Sequence, residues 1–181
     1  MKEMLEKGLD FDDDPLNATG VSRKSLVIFF LIDTSGSMKG TKMGELNTAM
    51  EELLPEIRRI GEADTDVKVA VLTFSTNLAW MYSEPISIED FEWNRLSANG
   101  ITNMGAAFEE LALRLSRNSF LNSPSLSFAP VIFLMTDGYP SDNYKEGLKK
   151  LAANSWYKHG LKVALGIGKE ANDDMLAEFT T

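Results

Sequence analysis

The chain contains no cysteine. Disulfides, thiol nucleophiles and thiolate-bound metals are therefore excluded from any account of its fold or chemistry. Histidine is nearly absent as well. The single one, His159, stands beside Gly160 at the end of a helical segment, where a cap facing the helix dipole explains it better than catalysis. Positive charge is scarce: 18 Lys and Arg against 27 Asp and Glu give a formal net charge of −9 and a pI near 4.7. That balance argues against a nucleic acid or an anionic membrane as partner, since both need clustered Lys and Arg. No apolar run approaches the roughly 20 residues of a membrane span. The opening "MKEMLEKGLDFDDDPLNATG" has no continuous hydrophobic region of the kind a secretion signal needs. A cytoplasmic location is the expectation. There is no Walker lysine motif, and "GIGKEAN" lacks a phosphate-binding glycine pattern.

What is present suits one soluble α/β domain. The 181 residues are 44% hydrophobic and 25% charged, enough to bury a sizeable core. Residues 1–23 read as an appendage, and their acidic "DFDDDP" lacks the ligand spacing and closing Glu of a calcium loop, which leaves a solvated turn. The domain proper is 24–181. Its segments 26–33, 66–74, 129–136 and 161–167 are apolar without alternation, the mark of parallel strands buried on both faces. Residues 78–84 follow the second strand too closely for a parallel crossover and are expected to form an antiparallel edge strand. "ISIEDFEW" is expected to form a short helical turn. Helical spacing places Met43, Leu46, Met50, Leu53, Leu54, Ile57 and Ile60 on one face, with Pro55 bending that helix and Gly61 ending it. Further helices are expected after "GITNMG", over 143–159 with Gly160 as the stop, and from "NDDMLAEFT" to the chain end. This alternation predicts a doubly wound, mostly parallel sheet with helices on both faces.

In such a sheet, ligands bind outside the carboxyl ends of the strands where the winding direction reverses. Asp33 ends the first strand and Asp137 the 129–136 strand, so the two carboxylates are expected to face one crevice. Asp33, Ser35 and Ser37 alternate in "DTSGS", and Thr102 in "NGITNMG" can add a hydroxyl. Taken alone, Asp33 has the simpler reading of a helix N-cap. Oxygen-only donors select a hard cation, with Mg²⁺ favoured over Ca²⁺ or Mn²⁺, and not zinc or copper. Met38, Asn77, Asn103 and Tyr139 flank these loops, either as a partner-reading rim or as half-exposed loop residues.

A strand-terminal D-x-S-x-S, a downstream loop Thr and a strand-terminal Asp-Gly, here "DTSGS", "GITNMG" and "TDG", resemble the von Willebrand factor A (integrin I-like) family with its metal-ion-dependent adhesion site. The resemblance implies that Ser35, Ser37 and Thr102 contact the metal directly, with Asp33 and Asp137 acting mostly through water. It also implies a non-enzymatic role, in which a protein partner supplies an Asp or Glu to the metal. "IFFLIDTSGSMKGTKMGELNTAM", "VLTFST" and "VIFLMTDGYPSDNY" look most like the bacterial intracellular branch that includes TerY-type proteins of tellurium-resistance and stress clusters. Two departures stand out. The loop reads Gly100-Ile101-Thr102 where the family more often has two glycines, and the family's last strand and helix are expected to be missing. The alternative is a Mg²⁺-dependent phosphoryl-transfer enzyme with Asp33 as nucleophile. A haloacid-dehalogenase-type site would want an acid at position 35 and a Lys near the end of the 129–136 strand; Ser35 stands at the first, and no Lys is expected close to Asp137.

Overall fold

The computed structural model describes residues 24–60, 65–122 and 127–181. The expected appendage at 1–23 and the helix stop at Gly61 lie outside the described residues. In chain order the strands are β1 (Lys24–Asp33), β2 (Thr65–Phe74), β3 (Leu78–Trp80), β4 (Ile86–Ser87), β5 (Val131–Thr136) and β6 (Leu161–Gly166). The helices are α1 (Thr41–Ile60), α2 (Met104–Arg114), α3 (Tyr144–Ala153), α4 (Ser155–His159) and α5 (Asp173–Thr180). The sheet runs β3-β2-β1-β5-β6, with β4 also paired to β2. β1 is parallel to β2 and β5, β5 is parallel to β6, and β3 and β4 are antiparallel to β2. This is the expected α/β architecture, wound outward in both directions from β1.

The unbroken apolar run of β1 has a direct physical reason, because alternate side chains serve two cores. Val27, Phe29 and Leu31 join Phe108, Leu111, Leu151, Tyr157 and Phe179 on the side of α2 to α5. Ile28, Phe30 and Ile32 join Met43, Leu46, Met50, Leu54 and Ile57 of α1. Each such apolar side chain, fully buried, contributes about 1.5–3 kcal/mol relative to exposure. Pro55 sits on the exposed side of α1, which continues past it to Ile60.

Four local expectations need correction. The edge strand expected over 78–84 ends at Trp80. The chain bends away after Met81 and returns at Ile86–Ser87 to pair with Lys68 and Val69. Ile86 and Ser87, expected in a helical turn, are therefore strand, because Ile88 and Phe91 are drawn into the α1-side core. The single helix expected over 143–159 is broken at Asn154. The Asn154 side chain accepts from the N–H groups of Trp156 and Tyr157, and its amide donates to the carbonyls of Ala112 and Leu115. Asn caps a helix start better than it continues one. Finally, β6 is an edge strand and not buried on both faces: Leu161 and Leu165 are 62% and 44% exposed.

The irregular segment from Phe91 to Asn103 carries Thr102 to the site and is held by a buried amide. Asn47 Oδ1 accepts from Leu96 N–H at 2.7 Å and Trp93 Nε1–H at 3.2 Å, while Nδ2 donates to Leu96 O at 2.9 Å and Met43 O at 2.8 Å. Asn47→Leu leaves those loop groups without their partners. It is expected to cost about 1–3 kcal/mol, read as a drop of about 2–4 °C per kcal/mol in the thermal midpoint.

Candidate metal centre

Because β1 and β5 are parallel neighbours in register from Ile28↔Val131 to Ile32↔Met135, their carboxyl ends open on the same edge of the sheet. Asp33 is the last residue of β1, and Asp137 follows Thr136, the last of β5. Asp33 is fully buried. Its Oδ1 accepts from the Ser35 N–H at 2.8 Å, and its Oδ2 accepts from the Thr136 hydroxyl at 2.6 Å. α1 begins only at Thr41, so Asp33 does not cap it. The carboxylate instead ties the turn after β1 to the neighbouring strand.

The hydroxyls continue from there. Ser35 Oγ lies 3.0 Å from Ser37 Oγ, and the Ser37 hydroxyl donates to Asp137 Oδ1 at 2.7 Å. The Asp137 side chain is fully buried, and its second oxygen meets Lys42 Nζ at 2.5 Å. Four of the five expected residues are thus joined by hydrogen bonds or stand one bond apart.

Thr102 arrives by backbone contacts. Asn99 N–H donates to Thr34 O at 2.7 Å, and Gly36 N–H donates to Gly100 O at 2.9 Å. Gly100 has φ +85°, and a Cβ there would stand 2.4 Å from Thr76 Oγ1, so only glycine fits this crossing. On its far side Thr102 is held twice by one residue. The Ser141 N–H donates to Thr102 O at 2.8 Å, and Thr102 N–H donates to Ser141 Oγ at 3.2 Å. The neighbouring Asp142 carboxylate accepts from Gly105 N–H and Ala106 N–H at 2.9 and 3.0 Å, supplying partners for the first turn of α2 from another loop. The loops carrying Ser35, Thr102 and Asp137 therefore form one hydrogen-bonded unit before any ligand arrives.

Burial pushes the Asp33 carboxyl above the usual aspartate range. The bonds from Thr136 and Ser35 pull it down, and the charge of Asp137 pushes it up again; burial prevails. Two carboxylates with one ammonium between them leave a site short of positive charge.

Of the expected rim, Tyr139 is 70% exposed, Asn77 is exposed, and Asn103 is half-buried with its amide donating to Thr76 O. Met38 does not belong there. It is fully buried, because the 3₁₀ turn Gly36–Met38 aims it into the α1-side core. Three residues near the site escaped the sequence reading. Ile101, 52% exposed, precedes Thr102. Glu170 helps line a cavity of about 540 Å³ together with Ser37, Asp137, Gly138 and Tyr139. Lys42 corrects the expectation that no lysine is near Asp137: it is 95 residues away in sequence, and its only signal was a place in the first turn of the helix after "DTSGS".

Among the described residues, no three His, Cys, Asp or Glu side chains converge as a metal-binding group. The donors here are instead two carboxylates and serine and threonine hydroxyls. This all-oxygen set fits a small hard cation and disfavours soft or borderline metals. Among the described residues, no helix is long and apolar enough to cross a membrane.

Comparison with known proteins agrees with the architecture. No curated protein matches the chain in sequence. Among solved structures, a von Willebrand factor type A protein from Catenulispora acidiphila superposes with a TM-score of 0.60 at 19% identity, covering 88% of this chain and 36% of that one. The ArnB paralog VWA2 from Sulfolobus acidocaldarius gives 0.61 at 18% identity, covering 88% and 39%. The PilB minor pilin from Streptococcus sanguinis gives 0.63 at 14%, covering 87% and 54%. The chain thus spans between about a third and just over half of these proteins, and at such identities the likeness is one of fold. The family model of the von Willebrand factor type A domain matches residues 28–181, and the chain belongs to that family.

Proposed function

We propose that this domain is a Mg²⁺-dependent protein-binding module that captures an Asp or Glu of a partner protein. Domains of this family are generally metal-dependent interaction modules and typically not enzymes. The observation that carries the reading is the continuous run of oxygens from Ser35 through Ser37 to Asp137, with buried Asp33 behind it and Thr102 brought alongside. On this reading Ser35, Ser37 and Thr102 hold the ion, with Asp33 and Asp137 supporting through water. When bound, the ion supplies a Lewis-acidic seat for a carboxylate from outside. Hydroxyl ligands leave most of the ion's charge available to that seat. Mn²⁺ and Ca²⁺ are alternative occupants.

Tyr139, which lines the cavity beside Ser37 and Asp137, and Ile101, Asn77 and Asn103 on the other loops are proposed as the rim that reads the partner. The resemblance to the TerY-like branch supports a bacterial, cytoplasmic setting in a tellurium-resistance or stress system. The charge balance supports a protein partner over a nucleic acid or a membrane.

The phosphoryl-transfer alternative gains one observation, the lysine on Asp137. It loses a larger one. The proposed nucleophile Asp33 is fully buried, with both carboxylate oxygens accepting hydrogen bonds. Phosphatase turnover above background that disappears in Asp33→Asn would restore it.

Calorimetry is expected to show Mg²⁺ binding to the wild type, weakened by about tenfold or more in Ser35→Ala and abolished in Asp33→Ala with the fold retained. Unchanged affinity in both variants would sink the metal reading. A pull-down in Mg²⁺ is expected to recover a partner that chelator or Asp137→Ala releases. A third measurement uses Asp33 alone. Its folded pKa is raised above the unfolded value, so its stabilising effect is greatest below the unfolded pKa and is lost as pH rises through the folded one. Metal-free Asp33→Asn is therefore expected to melt higher than wild type at neutral pH and to lose that part of the pH dependence. A lower midpoint for Asp33→Asn at neutral pH would contradict this.

A further inference from the structure

Among the described residues, Lys42 is the one cation that touches the carboxylates of the site. Its ammonium lies 2.5 Å from Asp137 Oδ2, and its side chain is 31% exposed while that of Asp137 is fully buried. It stands in the first turn of α1, where the helix dipole disfavours a positive charge. The placement therefore serves the carboxylate and not the helix. The stem is confined from the other side by Gly168, in the loop after β6: a Cβ there would lie 3.1 Å from Lys42 Cε. A fully buried carboxylate with no counter-charge is strongly unfavourable, and here the ammonium supplies that charge from within the chain.

We infer that Lys42 is the resident cation of this site, holding Asp137 when no divalent ion is bound, and that a metal ion must displace it. The inference rests on the metal reading above and adds an internal competitor to it. An ammonium on Asp137 Oδ2 cancels the carboxylate charge that attracts a dication, and it repels that dication across a few ångströms. Both effects weaken metal binding, so the domain takes up its metal only above a threshold concentration that Lys42 sets. Because the lysine is partly exposed, it has a route to water when the ion arrives. The arrangement also keeps the metal-free domain folded, since Asp137 is never left unpaired.

The test is Mg²⁺ titration calorimetry on wild type, Lys42→Met and Lys39→Met, with thermal melts with and without Mg²⁺. Lys42→Met keeps the apolar stem and removes the charge. Lys39, exposed and three residues earlier, controls for net charge. Lys42→Met is expected to bind Mg²⁺ about tenfold more tightly than wild type, to melt lower without metal, and to recover when Mg²⁺ is added. Binding by Lys42→Met alone, with none by wild type, would support the inference in its strongest form. Equal or weaker affinity in Lys42→Met, or equal tightening in Lys39→Met, would overturn it while leaving the metal reading intact. No binding by any of the three would overturn both. Should Lys42→Met fail to fold, the wild type alone decides by amine-labelling footprints. Lys42 is expected to become more reactive in Mg²⁺ than in chelator, and unchanged or reduced reactivity would overturn the inference.

Discussion

Two carboxylates fixed at the carboxyl ends of adjacent parallel strands impose the demands that the rest of this structure meets. The β1–β5 pairing brings Asp33 and Asp137 to the same edge of the sheet, and burial there keeps water from solvating them. Asp33 shows the consequence in a carboxyl pushed toward its neutral form despite two hydrogen bonds. Asp137 meets the same demand differently, with a serine hydroxyl on one oxygen and a lysine on the other. The sheet therefore supplies position and strain together, and the surrounding loops must supply compensation.

They do so through backbone contacts more than through side chains. The turn after β1 binds the Thr102 loop through Thr34 and Gly36, and that loop binds the segment after β5 through Ser141. Gly100 is the point at which any side chain would break the arrangement, since its backbone is left-handed and pressed against Thr76. The single intervening Ile101 in place of a second glycine does not loosen the crossing, because Gly100 alone makes the close approach. Backbone hydrogen bonds of this kind are indifferent to most substitutions, which leaves exposed Ile101 and Tyr139 free to vary in composition without disturbing the oxygens beneath them.

Much of this was legible in the sequence, for identifiable reasons. Long apolar runs ending in Asp are strong signals, and β1, β2 and β5 lie where 26–33, 66–74 and 129–136 predicted. The convergence of "DTSGS" and "TDG" followed from strand order, since the winding rule puts those strand ends together, whereas "NGITNMG" ends no strand and reaches them through loop contacts with Thr34 and Gly36. What could not be read depended on tertiary context. Met38 looks like any residue of a polar loop until the 3₁₀ turn points it inward. Asn154 sits in an otherwise helical run, and only its reach to Ala112 and Leu115 makes a break favourable there. The edge exposure of β6 is invisible in "LKVALGIG", because an apolar strand reads the same whether or not both of its faces are covered. Lys42 is the plainest case. Its partner is set by a helix start and a strand end that share no local sequence.

The distribution of energy within the fold explains how such a site can be tolerated. The two cores bury Phe29, Phe30, Phe74, Phe108 and Phe179 almost completely, and stacked pairs such as Phe108–Phe179 lie on the opposite side of the sheet from α1. Each of these contributes about 1.5–3 kcal/mol, whereas an imperfectly compensated buried carboxylate costs several kcal/mol. A handful of aromatic side chains therefore outweighs one strained charge. The charge also sits at the strand ends, where the chain leaves the sheet, and not midway along the ladders that hold it together. Weakening the site should loosen the three loops that share its hydrogen bonds before it loosens the sheet. The carboxylates can accordingly be held short of positive charge, and so kept receptive to a cation, without putting the fold at risk.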